Sequence, residues 1–231
     1  MASRRASDRL IQTGQVQVNG SRVLHPGTKI DPDSDTVLYR GTRVTPPAAP
    51  TYVVLNKPPG YLVSAGDPHH GQTVFDLLKG VSARLFPVGR LDLDTRGVLL
   101  LTDDGDLGYR LTHPRWGVEK TYRARVSGRP KPSAIQALRK GVLLEDGPAA
   151  PAQARLIEAG RSDSVLEITV TEGRKRQVKR MCEAVGHRAL GLERTVFAGI
   201  TAAGLVCGSW RELDPNEVTS LQRCVGLSVG A

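Results

Sequence analysis

The stretch that most constrains the fold runs from Val88 to Asp106, VGRLDLDTRGVLLLTDDGD. A dense turn signal, Asp92-Leu93-Asp94-Thr95-Arg96-Gly97, feeds directly into the apolar run Val98-Leu99-Leu100-Leu101. An apolar run this short, bounded by turn formers, predicts a buried strand. Asp, Thr and Gly suit the tight loop ahead of it through side-chain hydrogen bonding and φ freedom. A carboxylate on such a loop is held rigidly yet reaches the surface, where catalytic groups tend to sit. Two plainer readings compete: aspartates that serve only to cap a turn, or a calcium-binding loop. Asp92, Asp94, Gly97 and Asp103 fall at EF-hand positions, but Arg96 would put a cation at the fifth ligand position. Asp103 also replaces the usual bidentate Glu, and no flanking helix is evident, so calcium is set aside.

The formal net charge of +9 over 231 residues favours a polyanionic partner. No apolar run approaches the roughly 20 residues of a membrane span, and MASRRASDRL has no apolar stretch behind it to act as a secretory signal. Cys182, Cys207 and Cys224 stand far apart, which argues against a disulfide framework or zinc site and fits a reducing cytoplasm. The pair His69-His70 has no third ligand at a suitable spacing and reads as part of a loop. No metal site is expected.

Along the chain, residues 2–13 predict a short helix with Arg4, Arg5 and Arg9 on its basic face, stopped by Gly14. Val16 and Val18 alternate, Asn19-Gly20 signals a hairpin, and a last short strand covers 36–39. The Pro/Ala stretch at 45–50 predicts a linker, which separates a domain at 1–44 from one at 51–231. Beyond it, strands are expected at 52–57, 119–127 and 164–171, with helices at 106–111 and 132–140. These strands are too many and too poorly interleaved with helices for a parallel sheet. The fold class is therefore α+β, with a mixed, mostly antiparallel sheet in the larger domain and a small α/β domain ahead of it. A second concentration of charge lies in EGRKRQVKRMCEAVGH (172–187), where five of the seven residues from Arg174 to Arg180 are basic. Val178, Met181, Cys182 and Val185 recur at helical spacing, so a helix with a cationic first half is expected, its charge offset by phosphate or a buried carboxylate.

The loop GRLDLDTRGVLLLTDDGDL resembles the signature of the RsuA/RluB-type ribosomal RNA pseudouridine synthases, with Gly89, Arg90, Leu91, Asp92, Thr95, Gly97, Thr102, Asp104 and Gly105 all matching. Further matches follow in order: Tyr52 to Gly60 as Y-x-x-x-x-K-P-x-G, Lys120-Thr121-Tyr122 as K-x-Y, Glu172 to Met181, Leu192-Glu193-Arg194 and Gly208 to Leu213. SRRASDRLIQTGQVQVNG resembles the S-four-type RNA-binding domain, but without the helix that normally precedes S-R-R, so the true start is expected upstream and 1–44 is expected to be loosely packed.

The resemblance implies a pseudouridine synthase fold and an isomerase that converts uridine to pseudouridine in ribosomal RNA after flipping the base out. Neither cofactor nor metal is implied. Asp92 carries over as the essential catalytic residue, Lys179 as the cation that pairs with it, and Tyr122 as the ring that stacks on the uracil. Arg90 is expected to hold the loop or a phosphate. Arg174, Lys175, Arg176 and Arg180, with Arg4, Arg5 and Arg9, are the expected RNA contacts. GVLLEDGPAA (141–150) looks more like the large-subunit synthase B branch than the small-subunit one. The expected partner is ribosomal RNA or a pre-ribosomal particle, met by a cytoplasmic monomer. Two rival readings are a non-catalytic RNA-binding or assembly factor, which has no use for the G-R-L-D loop, and a metal-dependent hydrolase such as a nuclease, which needs further ligands converging on Asp92.

Overall fold

The computed structural model describes residues 4–45, 49–64 and 71–228. His69-His70, the first three residues and 46–48 of the expected linker lie outside them. The chain divides into two compact units, Met1–Ala49 and Pro50–Ala231.

The first unit holds helix α1 (Arg4–Gln12) and strands β1 (Val16–Val18), β2 (Ser21–Val23), β3 (Val37–Tyr39) and β4 (Thr42–Arg43). The four strands form an antiparallel sheet in the order β2-β1-β3-β4. Asn19 and Gly20, both with positive φ, make the β1–β2 turn that Asn-Gly favours.

The second unit opens with β5 (Tyr52–Lys57), β6 (Phe86–Val88), β7 (Arg96–Thr102) and helix α2 (Gly105–Thr112). It continues with β8 (Lys120–Ser127), α3 (Pro132–Lys140), the hairpin β9 (Leu143–Leu144) and β10 (Gly147–Pro148), β11 (Gln153–Ala159) and β12 (Asp163–Val170). Helix α4 (Gln177–Ala184), β13 (Ala189–Phe197), β14 (Ile200–Thr201), β15 (Trp210–Glu212) and α5 (Pro215–Cys224) complete it. A nine-stranded sheet runs β11-β12-β8-β13-β7-β5-β15, with β14 on β13 and β6 on β7. Among the described strands only β13 and β7 run parallel, so the sheet is mixed and mostly antiparallel.

β7 shows why the run at 98–101 is apolar throughout. Val98 and Leu100 enter a core with Leu107 and Leu111 of α2 and Leu221 of α5, while Leu99 and Leu101 enter another with Val53, Leu55 and Leu91. A strand covered on both faces cannot alternate. β8 instead alternates: Ala124 and Val126 join a third core with Leu138 of α3 and Met181 of α4, and Arg123 and Arg125 are exposed on the other face. Gly97 lies where β7 meets β13. A Cβ there would overlap the Arg194 carbonyl, and its φ of +107° is one that glycine adopts freely.

The expected helix of the basic segment forms over a shorter span. α4 starts at Gln177, and Arg174, Lys175 and Arg176 precede it in a loop that ends with Arg176 in the left-handed conformation (φ 52°). Leaving the helix removes three like charges from a first turn whose dipole already opposes them.

Candidate active site

The loop 89–95 between β6 and β7 carries Asp92 into a cleft of about 990 Å³. Its backbone is fixed from below by Lys57, the last residue of β5, whose side chain is wholly buried. Lys57 Nζ donates to the carbonyls of Thr95 and Pro58 at 3.0 Å, Asp92 at 3.3 Å and Leu93 at 3.4 Å. Burial pushes its pKa down to about 8, against the pull of the Asp94 and Asp92 carboxylates, so it stays charged at neutral pH. Gly60 N–H donates to Leu93 O at 2.8 Å and Thr95 N–H to Asp92 O at 3.1 Å, closing the loop on itself and on the turn after β5. Such a network over-determines the position of one carboxylate, as catalysis requires.

Lys179 approaches from α4, its side chain only 6% exposed. Its Nζ lies 3.7 Å from Asp92 Oδ2 and 2.5 Å from Asp94 Oδ1. The hydrogen bond therefore goes to Asp94, holding that carboxyl below the usual range. Asp92, 32% exposed against 67% for Asp94, is the carboxylate turned more into the cleft. The expected Lys179–Asp92 pairing is thus shared with a second, more solvated partner.

Tyr122, Arg90, Arg174, Lys175 and Arg176 line the same cleft as Asp92. Arg90, Lys175 and Arg176 are exposed at its rim. The guanidinium of Arg174 is spent inside the protein, on Pro148 O at 2.6 Å, Gly147 O at 3.1 Å, Glu172 at 3.4 Å and Asp146 at 3.5 Å. Arg180 makes a two-pronged pair with Asp146 at 2.8 and 3.1 Å. Both arginines tie the β9–β10 hairpin to the segment 174–180. Arg4, Arg5 and Arg9 are exposed on α1 in the other unit.

Lys57, Lys120 and Arg194 belong to motifs legible in the sequence, but nothing local assigns them a task. Lys57 and Lys120 each bond one nearby carbonyl, of Pro58 and Val118, but their other partners and that of Arg194 are brought from 35 or more residues away. No group of three or more His, Cys, Asp or Glu among the described residues could hold a metal ion.

The fold and this cleft define an RNA-modifying enzyme of one family: residues 51–184 match the model for RNA pseudouridylate synthase, and the chain belongs to that family. Residues 1–37 match the S4 domain. The ribosomal large subunit pseudouridine synthase B of Bacillus subtilis is 41% identical over 96% of this chain and 91% of its own length. The ribosomal small subunit pseudouridine synthase A of Escherichia coli is 36% identical over 95% and 94%. A crystal structure of a pseudouridylate synthase superposes with a TM-score of 0.70, at 30% identity over 95% of this chain and 94% of that one.

Proposed function

We propose that this pseudouridine synthase acts on ribosomal RNA, on the large-subunit molecule, with Asp92 as its catalytic group. The observation that carries the reading is the fixing of the Asp92 loop by three carbonyl bonds from Lys57, to Asp92, Leu93 and Thr95, inside a cleft that also presents Tyr122. A backbone clamp on a carboxylate at a cleft is of use to chemistry and of none to an adaptor that only binds RNA. The large-subunit assignment is supported by GVLLEDGPAA and by the higher identity to the large-subunit relative. The described residues include no helix long and apolar enough to cross a membrane. A cytoplasmic monomer remains part of the proposal.

The reaction breaks the C1′–N1 bond of uridine, turns the uracil and joins its C5 to C1′. C5 gives up its proton and N1 takes one, so no electrons are gained or lost overall. Asp92 serves as the nucleophile or as the negative charge that lets the glycosidic bond break. Lys179, its Nζ 3.7 Å from Asp92 Oδ2, sets a buried positive charge beside that carboxylate and helps to orient it. Tyr122 gives the flipped base a face to stack on. Arg90, Lys175 and Arg176 at the rim suit phosphates, with Arg4, Arg5 and Arg9 as a second cationic surface. Arg174 and Arg180 serve instead by holding the segment that carries Lys179.

Mapping pseudouridines in ribosomal RNA from cells with and without this protein tests the reading. One large-subunit position should lose its modification and regain it with purified protein. An unchanged map would refute the substrate, and a changed small-subunit site would refute the branch.

A further inference from the structure

Two cations lie buried at the floor of the Asp92 cleft with no carboxylate beside them among the described residues. Lys120 is 8% exposed and donates Nζ to Val118 O at 2.6 Å and Thr171 O at 3.4 Å. Arg194 is 2% exposed; its Nε donates to Val98 O at 2.8 Å, and its Nη2 has no hydrogen-bond partner among the described residues. Both lean on one ring, with Arg194 Cζ 4.7 Å and Lys120 Nζ 5.6 Å from the centre of Phe197. The strand register sets them around Tyr122: Arg194 faces Tyr122 across the β8–β13 pair, and Phe197 faces Lys120.

As structure, this arrangement is a poor choice. A buried charge without a counter-charge destabilises a fold, and a second like charge nearby adds to the cost. Burial and then Arg194 push the Lys120 pKa down to about 8, which leaves it protonated at neutral pH. Apolar residues of similar size would pack here at lower cost. The cost is intelligible if negative charge arrives with the substrate. Lys179 is already committed to Asp94 and Asp92, and Arg174 to Asp146 and Glu172. The rim cations are exposed, where phosphate remains hydrated. In the isomerisation proposed above, the part of the substrate that stacks on Tyr122, beside these two cations, is the base.

We propose that Lys120 and Arg194 form an anion subsite for the detached uracil, stabilising the negative charge that its oxygens carry once the C1′–N1 bond breaks. The inference rests on the uridine isomerisation proposed above. When that bond breaks its electron pair stays with the base and spreads over O2 and O4. When C5 attacks C1′ the pair returns to form the new bond, C5 loses its proton and N1 gains one. The intact uridine carries no such charge. A positive field fixed before the reaction therefore acts on the transition state more than on binding. It also offsets the repulsion between Asp92 and an anion formed next to it.

The test uses the full-length protein and a ribosomal RNA fragment in single turnovers, with uridine or 4-thiouridine at the target. Sulfur lets the detached base carry negative charge more easily, so dependence on the subsite should shrink. Lys120→Met should slow uridine conversion by about 100-fold, the typical cost of losing one such charge-stabilising group. RNA affinity and its salt dependence should stay within about twofold, and the variant should remain folded at the assay temperature, with only a small fall in melting temperature from the Val118 and Thr171 carbonyls that lose their donor. On 4-thiouridine the same variant should lose less than about tenfold, and Lys120→Arg should keep most activity. Should Lys120→Met fail to fold, Arg194→Lys is read on the same two substrates. An equal loss on both, or a loss residing in affinity with a shallower salt dependence, overturns the subsite. An inactive wild type would sink the isomerase reading and the subsite with it, whereas an active wild type with an equally active Lys120→Met sinks the subsite alone.

Discussion

Among residues 4–45 no side chain is buried, whereas six of the seven residues of β7 are. α1 turns Leu10 and Ile11 only partly away from solvent, and the strands beside it are three residues long or shorter. The larger unit encloses three apolar cores around one sheet. The contrast follows from what each surface has to do. A carboxylate must be held to a fraction of an ångström, which needs packed support on both sides of the strand that carries its loop. A cationic face that meets phosphates reads charge and shape, and tolerates looser support.

The contrast is broken most sharply by comparing charge changes in the two units. Asp92→Asn should lower turnover by at least about 1000-fold while RNA affinity stays within a few-fold, because it removes charge but little volume. Replacing Arg4, Arg5 and Arg9 together by Ala should do the reverse, weakening binding by roughly tenfold and flattening its salt dependence, with turnover at saturating RNA unchanged. Single-turnover rates and filter binding at several salt concentrations separate the two. Asp94→Asn should keep turnover within about tenfold, since it frees Lys179 for Asp92. An equally dead Asp94→Asn would shift the catalytic role to Asp94.

Lys57 tests the packed side alone. Lys57→Met should cost on the order of 100-fold in turnover, as the loop moves by about an ångström. It should also destabilise by roughly 2 kcal/mol as carbonyls lose their donor. The wild type should show the same clamp through pH. With a folded pKa of about 8, below the ordinary lysine value of 10.5, the unfolded chain holds more protons between those two values. This group therefore makes stability rise with pH across that window, and Lys120, also at about 8, acts in the same sense. A neutral amine has only two protons for four carbonyls, so turnover should fall above about pH 8 while the melting temperature does not follow it down. Parallel losses of both would point to unfolding and against the clamp.

What the sequence discloses follows the range of the interactions. The four-residue run and its turn residues predict β7 because a buried strand and a tight loop are written locally, whereas its burial on both faces shows only in the assembled cores. Val16, Val18 and Asn19-Gly20 predict the first hairpin for the same reason. The basic segment misleads because periodicity in Val178, Met181 and Cys182 does not say where a helix starts, and Arg176 breaks it with a left-handed backbone. Lys57 reads as a strand end; its four carbonyls include three that lie 35 to 38 residues further on. Arg194 and Val98 are 96 residues apart, and no local pattern announces their contact. Which of two aspartates Lys179 meets is likewise a matter of loop geometry.

Hydrogen exchange compares the two units without any substitution. Amides of β1 and β2 should exchange at least about 100-fold faster than those of Val98 to Leu101, because local opening of a shallow sheet exposes little apolar surface. Equal protection would show that the first unit is as firmly held as the second, whatever its burial.

The smallest effect expected is that of Leu10→Ala, set against Leu99→Ala. Leu99 is fully buried in the core with Val53, Leu55 and Leu101, where truncation leaves a cavity that the sheet cannot close, and a loss of about 3 kcal/mol is expected. Leu10 is half-buried on α1, in a helix with no buried residue, so its methyl groups already meet water in part. Its truncation removes a fraction of the transfer energy and leaves no enclosed cavity, for a loss below about 1 kcal/mol. Denaturant melts followed by the tryptophans report the second unit only, since Trp116 and Trp210 both lie there. In that signal Leu99→Ala should move the midpoint and Leu10→Ala should leave it in place, while circular dichroism registers the small change in α1. A Leu10→Ala midpoint shift as large as that of Leu99→Ala would mean that the first unit folds as one cooperative body with the second, and the looser support argued for its arginine-bearing helix would have to be abandoned.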